Sequence, residues 1–147
     1  MKRVSKVLTA LVLGTVLAGL AAGCGGGEKK AYTIKVGANL EMTGGSASYG
    51  ISSKNAIELA FKEINEKGGI NGKQLELVVA DNKSEAAEAT NAMQKLVSQD
   101  NVVAVIGPNL SSSVIAASAI NNSAKVLDIA PMATNPYVTV DQASGKT

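Results

Sequence analysis

The chain has no histidine and no tryptophan, one cysteine and one phenylalanine in 147 residues. Without histidine it can build neither a Ser-His-Asp nor a Cys-His nucleophile, and metal sites that need histidine or several cysteines are closed to it. A lone cysteine allows no internal disulfide. Charge is balanced, 14 basic against 12 acidic residues, so no basic surface of the kind that attracts nucleic acid is expected. Glu58, Glu63, Glu66, Glu76, Glu85 and Glu88 fall on expected helix faces or a strand, where solvation accounts for each. The composition argues against an enzyme and asks for no cofactor and no metal.

What the chain does have begins at its start. Lys2, Arg3 and Lys6 precede an apolar run over residues 7–22. Sixteen residues at about 1.5 Å each give about 24 Å of helix, short of the ~30 Å hydrocarbon core. Residues 1–23 are therefore expected to be a secretory signal peptide. The run ends in "LAAGC", which resembles the lipobox of bacterial lipoproteins, with Ala21 where leucine is usual and Leu20 one place earlier. The resemblance implies cleavage before Cys24 and lipid on that cysteine, an anchor stable once two or more acyl chains are attached. Residues 24–31, "CGGGEKKA", then read as a lipid-anchored flexible tether. Removing Lys2, Arg3 and Lys6 from the 14 basic residues leaves 11 against 12 acidic, a nearly neutral chain.

From residue 32 onward strand and helix patterns alternate. Strands are expected over "YTIKVGANL", "QLELVVA", "NVVAVIG" and "KVLDIA". Between them, Ala56, Ile57, Ala60, Phe61 and Ile64 make one helical stripe, stopped by Gly68 and Gly69. Ala86, Ala89, Met93, Leu96 and Val97 make a second, with Asn82 or Ser84 as its cap. A third, alanine-rich helix should start among Ser111, Ser112 and Ser113 and run to about Asn122. The β-α-β-α-β-α-β order predicts an α/β fold with a doubly wound parallel sheet. "PYVTVDQASGKT" starts an apolar element and stops without a cap, so the sequence reads as truncated. Its "SGKT" is not a phosphate-binding loop, because Val140 stands where that motif needs glycine.

In open sheets of this kind ligands bind beyond the carboxyl ends of the strands. Residues 39–49, 81–84, 108–113 and 131–136 are the segments to watch. A helix start offers unpaired N–H groups and partial positive charge, so the Ser111 region can hold a small anion, or a single serine can simply cap the helix. Thr134, stiffened between Pro131 and Pro136, should converge on Ser111, or is simply a loop residue away from any ligand. Tyr49, read as a loop residue before the first helix, either covers one face of a ligand or packs over that helix.

These blocks, "IKVGANLEMTGGSASYG", "AFKEINEKGGINGKQLELVVAD", "VIGPNLSSS" and "IAPMATNPY", together resemble the leucine/isoleucine/valine-binding proteins. Those are type I periplasmic substrate-binding subunits of ATP-driven branched-chain amino-acid importers. The resemblance implies that residues 32–147 are the first, incomplete lobe of such a protein, with a second lobe missing. It implies that Ser111 grips the ligand carboxylate by hydroxyl and amide, and that Thr134 contacts carboxylate and ammonium. The backbone carbonyl of Met132 would meet the ammonium, Tyr49 would pack over the ligand, and Asn109 and Leu110 would lie near its side chain. Ser112 and Ser113 are left to cap the helix or face solvent. Leu110 stands where some members carry a disulfide cysteine, and the acidic residue that pairs with the ammonium belongs to the missing lobe. The implied protein is an extracytoplasmic, lipid-anchored monomer that delivers a small amino acid to a permease and ATPase. The same fold could instead take an amide, urea or an aromatic acid, or serve as the ligand-binding domain of a sensory receptor.

Overall fold

The structure is a computed structural model and describes residues 32–140 and Gly145. The expected signal peptide, Cys24 and the tether lie outside the described residues. Four parallel strands form one sheet in the order β2-β1-β3-β4, where β1 is Ile34–Leu40, β2 Leu75–Asp81, β3 Ala104–Ile106 and β4 Leu127–Ile129. Helices α1 (Ala47–Glu66), α2 (Ala86–Ser98) and α3 (Ser111–Ala124) connect them, and a short 3-10 turn at Pro136–Val138 follows. The doubly wound parallel sheet expected from the alternation is present.

The faces follow from the strand period of two. Ala38 and Leu40 of β1 pack on Ile57 and Phe61 of α1, with Leu77 and Ile106 beside them. The alternate residues face the other way. Asn39 gives its side-chain N–H to the Ala89 carbonyl of α2 at 2.9 Å. Met93 and Leu96 of α2, Ala117 of α3, and Val102 and Val105 around β3 form the second core layer. The chain steps one way from β1 to β2 and the other way through β3 to β4. Right-handed connections made in opposite directions put α1 on one face and α2 with α3 on the other. That reversal opens a crevice between the carboxyl ends of β1 and β3.

Asn65 ties the end of α1 to β2: its side chain accepts from the Leu75 N–H at 2.7 Å and donates to the Leu75 carbonyl at 2.9 Å. The helix stops at Glu66, just before Gly68 and Gly69 as expected, and both glycines have positive φ. Three details differ from the sequence reading. The α1 stripe is narrower, for Ala56 and Ala60 are exposed. Neither Asn82 nor Ser84 caps α2; the cap position is Glu85, without a side-chain bond. Asn82 is drawn inward instead, and Ser84 donates to the Thr43 carbonyl at 2.8 Å. Finally, α1 starts at Ala47, so Tyr49 sits in its first turn and not in a loop.

The early start of α1 has a packing cause. A side-chain carbon on Gly50 would overlap the Glu41 carbonyl group and lie 2.8 Å from the Glu41 nitrogen. Only a residue without Cβ lets the first turn of α1 rest on the chain leaving β1. That contact holds Tyr49 at the mouth of the crevice.

Candidate functional site

The crevice is built from the segments that leave β1, β3 and β4. The first turn of α3 is its floor. Ser111 Oγ accepts the N–H groups of Thr134 and Asn135, each at 3.2 Å. The hydroxyl thereby joins the start of α3 to the loop after β4, and its own proton remains available to donate. Ser111 and Thr134 converge as their positions in the chain suggested. The N–H groups of Ser111 and Ser112 have no acceptor among the described residues. They point out of the first turn of a helix, where the backbone carries partial positive charge.

Beside this turn lies a hollow of about 290 Å³ lined by Tyr49, Asn109, Leu110 and Met132. Its size suits one small solute. Four of the six residues singled out from the sequence line it; the other two, Ser111 and Thr134, bond to each other but are not part of its lining. Tyr49 and Met132 are half exposed, 54% and 45%, so both present surface to the crevice. A larger hollow of about 440 Å³ borders β4 and α3 and is lined by Asp128 and by Thr134, which the sequence reading places with the other site residues. It lies along the outermost strand of the sheet, away from the reversal point, so the smaller hollow is the better candidate.

Asn109 is nearly fully buried and faces inward. Its side-chain carbonyl accepts from the Ser53 hydroxyl of α1 at 3.3 Å. Ser113 is also enclosed, its hydroxyl without a partner among the described residues, so it neither caps α3 nor faces solvent as expected. The reason is the helical period: Ser113, Val114 and Ala117 make the inner face of α3. Ser112 is exposed.

One central residue was not singled out in the sequence. Glu41, the first residue after β1, is completely buried. Its carboxylate accepts the N–H of Asn109 at 3.1 Å, the N–H of Leu110 at 3.3 Å and the side-chain N–H of Asn82 at 3.2 Å. It thus gathers the exits of β1, β2 and β3 around one charged group. Asp81, at the end of β2, does similar work nearer the surface. Burial alone would raise its pKa, but hydrogen bonds from the Thr43 hydroxyl and from the N–H groups of Lys83, Thr43 and Met42 outweigh that and hold it below the ordinary 3.8. The signal that would have found both is a carboxylate at the carboxyl end of a strand, the end where such sheets place their ligands.

Asp128 of β4 behaves oppositely. Burial pushes its pKa from 3.8 to about 7, and its Oδ1 has no hydrogen-bond partner among the described residues. The folded state favours the protonated acid, so this group costs nothing below pH 4, and stability falls as pH rises from about 4 to 7. Asp128→Asn should therefore stabilise the protein by roughly 1–2 kcal/mol above pH 7, a value reduced because the group keeps some solvent contact. The gain should vanish near pH 4. Urea melts of both proteins at pH 4 and pH 8 read this directly; an equal difference at both values would contradict it.

A family model described as "Periplasmic binding protein" matches residues 33–144. The chain is 38% identical over 112 residues to an amino acid binding protein of Pseudomonas aeruginosa, covering 76% of this chain and 30% of that one. It is 39% identical over 106 residues to Leu/Ile/Val-binding protein homolog 2 of Brucella abortus, covering 72% and 28%. Among solved structures it is similar to the branched-chain amino acid transporter substrate binding protein LivJ of Streptococcus pneumoniae, in complex with isoleucine. That match has 47% identity and a TM-score of 0.71 and covers 73% of this chain and 31% of that one. A solute binding protein of an ABC transporter from Rhodopseudomonas palustris, in complex with 3,4-dihydroxy benzoic acid, matches with 31% identity and a TM-score of 0.66, covering 73% and 29%. The chain thus spans about three tenths of the length of these relatives. With a family model matching residues 33–144, the chain belongs to the periplasmic binding protein family.

Proposed function

We propose that this chain forms one wall of the binding site of an extracytoplasmic solute-binding protein that captures a small amino acid, leucine, isoleucine or valine, for an ATP-driven importer. The observation that supports it most directly is the Ser111 hydroxyl, shared by two loop N–H groups beside two helix N–H groups without acceptors. That set can hold a carboxylate without any lysine or arginine. Tyr49, Leu110 and Met132 supply apolar surface for the rest of the solute, and the Met132 carbonyl and Thr134 hydroxyl take its ammonium. A second lobe closes over the ligand by hinge motion and brings the acidic partner of the ammonium. The closed form is then what the permease and ATPase recognise, with Cys24 tethering the protein to the membrane by lipid.

Calorimetric titration of the complete protein with leucine, isoleucine and valine tests the reading, with micromolar or tighter binding expected. The Rhodopseudomonas relative gives a second reading, an aromatic acid, so 3,4-dihydroxybenzoate belongs in the same series. Binding of that acid with none of the three amino acids would replace the first reading by the second.

A further inference from the structure

Glu41 has no role in the scheme above, yet it is the most enclosed charged group among the described residues. All its hydrogen-bond partners are donors: two backbone N–H groups and one side-chain amide. Such a set of N–H donors is what a carboxylate accepts. The four ion pairs among the described residues are Lys54–Glu58, Lys62–Glu66, Lys83–Glu88 and Lys95–Asp100, and none includes Glu41. Among the described residues its charge is met by hydrogen bonds and by the positive end of α3.

We infer that Glu41 is an internal anion that sets the charge class of the ligand. It takes the N–H groups of Asn109 and Leu110, which leaves the next two, those of Ser111 and Ser112, as the anion-binding pair. A ligand carboxylate seated there shares one helix end with a negative charge already in place. The end of a helix carries only about half an elementary charge, too little to offset two anions. A ligand that brings its own positive group relieves the repulsion, and a plain carboxylic acid does not. Glu41 is thus a positioning residue for the loop before α3 and a specificity determinant that favours a zwitterion over a simple anion. The inference rests on the amino-acid reading for its choice of ligand, but the charge effect can be measured without it.

The test uses the complete protein, leucine, and 4-methylpentanoate, which is leucine without its ammonium. The wild type should bind 4-methylpentanoate at least about 100-fold more weakly than leucine. Glu41→Gln, nearly the same shape without the charge, should narrow that ratio about tenfold, mainly by gaining affinity for 4-methylpentanoate. Glu41→Asp should restore the wild-type ratio even where its absolute affinities are lower, which a purely structural role would not do. An unchanged ratio in Glu41→Gln overturns the inference. So does equal binding of both ligands by the wild type, a result that stands even where the variant fails to fold. Loss of leucine binding by the wild type removes the amino-acid reading alone, because Glu41→Gln should still gain 4-methylpentanoate.

Discussion

Ser111→Ala should weaken ligand binding about 100-fold. The hydroxyl accepts from the N–H groups of Thr134 and Asn135 and keeps a proton to give to a ligand carboxylate. A hydrogen bond to a charged group contributes about 1.5–3 kcal/mol, and the substitution also strips the loop after β4 of its fixed acceptor. About 2.7 kcal/mol corresponds to the stated factor. The backbone N–H of position 111 survives, so binding should fall without disappearing. Ser123→Ala is the matched control: it lies in the same helix, is exposed, and gives its hydroxyl to the Ala119 carbonyl of its own helix. Titration of both variants with whichever solute the wild type binds decides the matter. Equal affinity in wild type and Ser111→Ala would mean that the ligand sits elsewhere.

The largest loss of stability is expected from Gly50→Ala. On helix propensity alone the change should stabilise α1 by about 1 kcal/mol. The added carbon would overlap the Glu41 carbonyl group, and that neighbour is backbone, which cannot rotate away. Relief requires α1 to lift off the chain leaving β1, at a cost of about 3–4 kcal/mol, for a net destabilisation of about 2–3 kcal/mol. Tyr49 rides on the same turn, so ligand affinity should fall as well. Gly45→Ala, where an added carbon meets nothing within 4 Å, should change stability by less than about 0.5 kcal/mol. Chemical denaturation of the three proteins gives the comparison, and a Gly50→Ala protein as stable as wild type would refute the close approach.

Much of this arrangement was legible in the sequence because it rests on periodicity and strand order. Ile57 and Phe61 on one side, and Met93 and Leu96 on the other, announce their faces by spacing. Ser111 and Thr134 follow from the rule that adjacent strands share a ligand end. The misses share a different cause. Tyr49 looked like a loop residue because "GGSASYG" has the composition of a loop. Its conformation is decided by a contact between Gly50 and Glu41 that no local pattern records. Ser113 looked like a spare hydroxyl, and Asn82 like a cap. Both are turned inward by tertiary packing, which overrides the local preference of a polar side chain for a helix end. Glu41 was overlooked because buried carboxylates are rare. Only the three-dimensional meeting of three strand exits shows why one is tolerated here.

That meeting constrains anyone who would redesign the pocket by borrowing segments from a homologue. The turns carrying Glu41, Asn82 and Asn109 are interlocked through a single acid, so their substitutions should be strongly non-additive. A transplanted segment that omits one of the three leaves either an enclosed charge short of donors or an enclosed amide short of an acceptor. Chimeras should therefore exchange all three turns together. The Met132 segment bonds instead to the first residue of α3, Ser111, and not to Glu41, which makes it the piece most readily swapped by itself.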